Sequence, residues 1–228
     1  MSGSHDKPHQ DHHDHDNDHD HEIDNGVPHR HPIRPDQDDT LTYWRAMEVA
    51  VRGLLIEKGI FSADDIRRQV EDMDNRTPLQ GARVVARAWV DPEFRRLLLA
   101  DGNQACEAIG MERGLYKLVV VENTEQVHNV VVCTLCSCYP RWLLGLPPDW
   151  YKSRGYRSRA ISEPREVLKE FGTLVSDDTA VRVHDSTADM RYLVLPKRPA
   201  GTQGWSEEKL AALVTRDAMI GVSFAKNP

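Results

Sequence analysis

The chain has 228 residues, 39% of them hydrophobic, and a formal net charge of −7. That charge is uneven: residues 1–40 hold eleven acidic and three basic residues, a net of −8, which leaves the remainder nearly neutral at +1. No run of about 18 apolar residues occurs, which argues against a helical membrane span, and no basic stripe with interleaved aromatics occurs, which argues against a nucleic-acid partner.

Residues 1–36 are low in complexity and carry nine of the eleven histidines, interleaved with aspartate. Such a segment buries too little apolar surface to offset its ordering entropy, so a disordered tail is predicted. It suits loose collection of divalent cations, or simple solubilisation. The start lacks the basic and apolar regions of a secretory signal, and the cytoplasm is the expected location.

From Leu41 the pattern turns helical. Trp44, Met47, Val51, Leu54 and Leu55 share one face, and Gly59 is placed to end the helix. Ser62 to Asp65 reads as a second helix start, and Asp91-Pro92 as a third, so short helices fill about 40–110. The β-branched runs 115–123 and 127–133 bracket a polar turn and predict a strand pair. Residues 145–159, rich in Pro, Gly and aromatics, read as loop. Ser162 with Pro164 opens a helix stopped by Gly172, residues 180–186 and 190–196 predict a second strand pair, and Ser206 starts a last amphipathic helix. There is no internal repeat. Helices first, then strands flanked by helices, predict an α+β chain: a tail over 1–36, a helical N-terminal region over 37–112, and an α/β layered metal-binding catalytic domain over 113–228.

Three of the four cysteines fall in Cys133-Thr134-Leu135-Cys136-Ser137-Cys138, where the second strand ends. Neighbours so close crosslink nothing distant, so metal or redox chemistry is indicated. A tetrahedral zinc site wants a second, separated ligand pair, and Cys106, His128 and His184 form none. An iron–sulfur cluster wants four thiolates at wider spacing. A C-x-x-C redox pair leaves Cys138 unused and lacks a βαβ setting. In a further reading the Cys136 and Cys138 thiolates bind one ion, which brings the amide nitrogens of Ser137 and Cys138 against it through chelate rings of unstrained size. Thiolates and deprotonated amides in a plane suit a metal with a square-planar or octahedral preference. Cys133 caps the plane, and the remaining position stays open, as Lewis-acid catalysis requires.

The motif, with GLPPDWYKSRGYRSR, PREVLKEFG and the stretch from VRVHDS to MIGVS, closely resembles the α subunit of nitrile hydratase from about Met47 to Phe224. Thr134 resembles the cobalt form, where the iron form has serine. The resemblance implies a low-spin, non-corrin cobalt(III) centre held by the Cys133, Cys136 and Cys138 thiolates and the Ser137 and Cys138 amides, with Cys136 oxidised to sulfinate and Cys138 to sulfenate. It implies hydration of a small-molecule nitrile to an amide, with Cys138 as nucleophile and the Ser137 hydroxyl beside the open position. It also implies a β subunit as partner, in a heterotetramer with the metal at the α/β interface.

The sequence departs from that pattern after the motif. Cobalt nitrile hydratases read C-Y-P-W-P, whereas here Arg141 follows Pro140 and Trp142 stands one place later. An arginine there resembles the γ subunit of thiocyanate hydrolase, so both residues are substrate-binding candidates and that hydrolase is an alternative. A glutamine of many nitrile hydratases is absent, with Arg113 and Gly114 nearest its place. A non-catalytic cobalt-binding module and an inactive structural subunit are further alternatives. Cys106 reads as a buried thiol and His128 and His184 as structural histidines. Trp150, Tyr151, Tyr156 and Arg157 read as shaping the loop and a subunit contact, and Trp44 and Trp89 as filling a helix core or a partner groove.

Overall fold

In the computed structural model, residues 42–135 and 138–228 are described; the expected tail, and Cys136 and Ser137 of the motif, lie outside the described residues. The predicted helices of the first half are present. α1 (Tyr43–Glu57) starts at Thr42, whose hydroxyl accepts from Arg45 N, and ends beyond at Gly59 with φ +67°. α2 (Ala63–Asp74) opens with a reciprocal capping box between Ser62 and Asp65. α3 (Leu79–Val90), α4 (Pro92–Ala100) and α5 (Gly102–Ala108) follow, the last two capped by Asp91 and Asp101. α3 buries only small side chains, Gly81, Ala82, Val84, Val85, Ala86 and Ala88, so its backbone lies close to its neighbours.

The four predicted strands exist, but their pairing differs from the two hairpins expected. β1 (Lys117–Glu122) pairs parallel with β4 (Met190–Leu195), and β2 (Val127–Val132) pairs parallel with β3 (Ala180–Asp185). The physical reason lies in the unbroken apolar runs Val130–Val132 and Leu193–Leu195, buried throughout. A hairpin with one solvated face alternates; a strand covered on both faces does not. Asn123 and Asn129 join β1 to β2 instead of a ladder: the Asn129 amide nitrogen donates to Glu122 O and to Asn123 Oδ1, and Asn129 N donates to Asn123 Oδ1.

The segment read as loop holds two helices, α7 (Asp149–Lys152) and α8 (Arg154–Ser162), after α6 (Arg141–Leu144). Pro148 precedes α7 and the Ser153 hydroxyl accepts from Tyr156 N at the start of α8, so two residues within the stretch read as loop act as helix starts. Ser162 ends α8, and α9 (Pro164–Glu170) begins from Glu163 instead. The last predicted helix is two short ones, α10 (Glu207–Ala211) and α11 (Arg216–Ile220). α3 packs on α10, α6 and α11, α4 and α5 cover β1, and α8 covers β2. The core between them contains Val85, Leu98, Val131, Leu143, Leu193, Leu195 and Met219.

α11 is seated against β2 by its last residue. Gly221 has φ +92°, and a Cβ there would come within 1.9 Å of Asn129 O. Its carbonyl accepts from His128 Nε2 at 2.7 Å, which fixes the neutral tautomer; Nδ1 then accepts from the Asn123 amide at 3.4 Å. His184 Nε2 donates to Asn129 Oδ1 at 2.8 Å. Both histidines are structural, as their positions in the sequence implied. Cys106 is fully buried and its thiol is pushed up to about 11 by that burial.

Candidate metal centre

The parallel register brings the ends of β2 and β3 side by side, Val132 opposite Asp185, with Ser186 N donating to Val132 O. Cys133 follows at once and is buried. Asp185 then reaches across to the next residue: Thr134 N donates to its Oδ1 at 2.9 Å and Thr134 Oγ1 to its Oδ2 at 2.5 Å. From the other side Arg157 Nη1 donates to Thr134 O at 3.3 Å. Past the two undescribed residues, Tyr151 donates its hydroxyl to Cys138 O at 2.9 Å. The cysteine turn is therefore pinned before and after, by side chains from β3 and from α7 and α8.

Tyr151 is fully buried beneath the turn, and that burial raises its phenol pKa. Tyr139, Tyr151 and Tyr156 pack edge to face or tilted beneath the turn with Trp150 and Phe171, and Tyr156 donates to Val131 O at 2.7 Å. This aromatic layer holds the end of β2 rigid and keeps one side of the turn dry. Leu135 at the tip is 87% exposed. Cys133, buried at the end of β2, and Cys138, half-buried at the cleft, bring two soft sulfur donors to one short stretch, a donor set that fits a thiolate-bound transition metal. Among the described residues, which leave out Cys136, no group of three or more His, Cys, Asp or Glu side chains placed to hold a metal ion occurs.

A cleft of about 570 Å³ opens on Cys138 and is lined by Tyr139, Arg141, Trp142, Glu112 to Tyr116, Arg76 and Arg191. Arg141 and Trp142, the substrate candidates, are thus brought to the same cleft as Cys138. The Arg141 side chain is exposed, with no partner among the described residues. The Trp142 ring occupies the space beside Gly114: a Cβ there would lie 2.3 Å from the indole. The space beside Gly114 is thus closed by the Trp142 ring. The Trp142 Nε1 is buried without a partner among the described residues. Asp185 and Arg191 were not named as site residues in the sequence; they come from distant segments, and only the parallel register unites the first with the motif.

Fold and turn together define an α+β subunit carrying a cysteine-rich turn at the carboxyl end of a parallel strand pair. Residues 42–223 match the family nitrile hydratase, alpha chain, and the chain belongs to that family. It is 54% identical over 181 residues to the cobalt-containing nitrile hydratase subunit alpha of Pseudonocardia thermophila, covering 78% of this chain and 88% of that one. It is 45% identical over 192 residues to the thiocyanate hydrolase subunit gamma of Thiobacillus thioparus, covering 79% of each. A solved recombinant thiocyanate hydrolase with partially modified cobalt centres superposes with a TM-score of 0.74 at 44% identity, over 81% of this chain and 91% of that one.

Proposed function

We propose that the chain is the catalytic α subunit of a cobalt nitrile hydratase, converting nitriles to amides. The observation that carries this reading is the cysteine turn pinned by Asp185 and Tyr151, in a chain 54% identical over 181 residues to a cobalt nitrile hydratase subunit. Cys133, Cys136 and Cys138, with the amides of Ser137 and Cys138, would hold the ion, within a metal-binding domain over 113–228 that follows the helical region 37–112. Bound there as non-corrin cobalt(III), the ion supplies a Lewis acid that makes a nitrile carbon electrophilic.

The protein's own part is positional. Asp185 and Arg157 hold Thr134, and Tyr151 holds the Cys138 carbonyl, so the sulfur of Cys138 is presented at the cleft in one orientation. Cys138 as sulfenate, with Cys136 as sulfinate, acts as the nucleophile or deprotonates the attacking water, and the Ser137 hydroxyl steadies the developing charge. Trp142 offers an apolar wall for the substrate body. The aromatic layer excludes water from the far side of the turn. A β subunit as partner, completing a heterotetramer, agrees with α1 and α2, which bury nothing in this chain. No described helix is long and apolar enough to cross a membrane, in keeping with a cytoplasmic enzyme.

A second reading, the γ subunit of a cobalt thiocyanate hydrolase, is favoured by one observation: Arg141 places on the cleft wall a guanidinium that has no partner among the described residues. Purified with its co-expressed neighbours from cobalt-supplemented cells, the protein should form acrylamide from acrylonitrile. Turnover of thiocyanate alone would transfer it to the hydrolase.

A further inference from the structure

The cleft carries more positive charge than a neutral nitrile calls for. Four guanidiniums line it, Arg76, Arg113, Arg141 and Arg191, against the single carboxylate Glu112. Arg76 and Arg141 have no side-chain partner among the described residues. Arg113 lies 3.7 Å from Glu107 with both side chains largely exposed, a pairing that neutralises little in water.

Arg191 is the informative member. It is 7% exposed, and its guanidinium stands over the Tyr116 ring at 4.0 Å from the centroid. Its Nη1 donates to the carbonyls of Thr187, Ala188 and Met190, and its Nε is buried with no partner among the described residues. No carboxylate pairs with it among the described residues. A buried cation held only by carbonyls and a ring face is costly unless opposite charge comes to it. The carbonyls and Tyr116 fix its direction, which is what a recognition arginine needs.

We propose that this cleft selects an organic nitrile bearing a carboxylate on its far end, with Arg191 and Arg113 as the selecting residues beside Tyr116. The inference rests on the nitrile-hydrating reading above and narrows its substrate class. Guanidinium groups take carboxylates through paired N–H donors, and two or more of them in one cleft hold the anion where a lone cation would not. The arginines come from three separate segments besides the Cys138 turn, and the cleft of about 570 Å³ admits a ring-sized body. Thiocyanate, whose charge sits on the reacting atoms, would use only the guanidinium beside Cys138.

The test compares 4-cyanobenzoate with 4-cyanobenzamide, alike in length and differing in charge, using the cobalt-loaded complex. At low ionic strength kcat/KM should favour the carboxylate by about tenfold, and the gap should narrow in high salt as screening grows. Arg113→Gln, at an exposed side chain, should lower kcat/KM for the carboxylate by about fivefold, mostly through KM, and for the amide by less than about twofold. Calorimetric binding of benzoate against benzamide reads the cleft without turnover. Tighter benzoate binding with no nitrile hydrated would keep the selection and remove the reaction assigned above. Equal or weaker binding and kcat/KM for the carboxylates at low salt overturns the selection whether or not nitriles are hydrated.

Discussion

Helices α1 and α3 are of comparable length and both carry an apolar face, yet α3 buries six residues and α1 and α2 bury none. Trp44 is 77% exposed, and Met47, Val51 and Leu54 are exposed on the same helix. Local signals, caps and spacing, are as good in α1 as in α3, so they establish that a helix forms but not what it packs on. A lone helix of this length is marginal in water, and an exposed apolar stripe of this kind marks an interaction surface. α3 packs on α10, α6 and α11, whereas α1 buries no residue among the described ones.

The largest break in that comparison comes at the turn. Cys138→Ser should abolish nitrile hydration, by on the order of 10³-fold or more, and lower cobalt retention, with far-ultraviolet circular dichroism unchanged. In the packed half, Gly221→Ala sets a Cβ against Asn129 O in a left-handed backbone, and should destabilise by on the order of 3 kcal/mol in chemical denaturation. On α1, Gly53→Ala meets nothing within 4 Å and should stabilise slightly, by about 0.5–1 kcal/mol.

Association should be sensitive where folding is not. Trp44→Ala should weaken assembly with the partner subunit by about 2 kcal/mol, read by analytical ultracentrifugation, while the midpoint of α-chain unfolding stays put. Asp185→Asn leaves a neutral group in place of the carboxylate that accepts twice from Thr134, and should cost about 1–2 kcal/mol and slow cobalt uptake, read by metal content over time. The smallest effect is that of pH. Burial lowers the pKa of His128 and of His184, so each unfolded ring, titrating near 6.5, binds a proton that the folded ring refuses. Stability contributed by the neutral rings is therefore present above that value and lost as pH falls below it. The melting temperature should drop between pH 7.5 and 5.5, and His128→Asn should reduce the drop.

Element positions were legible in the sequence wherever they depended on neighbours along the chain: the caps at Ser62, Asp91 and Ser206, and the four β-branched runs, all appear where expected. Pairing was not, because the short polar turn at 123–126 is compatible with a hairpin and only burial on both faces decides otherwise. The helices within 145–159 were hidden because Pro and Ser, which mark loops, also begin helices, as Pro148 and Ser153 do. At the site, the sulfurs and their spacing announce a metal within six residues, whereas the side chains that hold them stand 13 to 51 positions away in sequence. Arg191 carries no motif at all; only its place over Tyr116 beside the cleft gives it meaning.

Hydration of nitriles by the cobalt-loaded cysteine turn is the central claim to test. The direct measurement is acrylamide formation by the purified complex as its cobalt content is varied. The rate should rise linearly and stop at one cobalt per chain. Stoichiometric cobalt with no amide formed, or a rate indifferent to cobalt, would contradict the assignment.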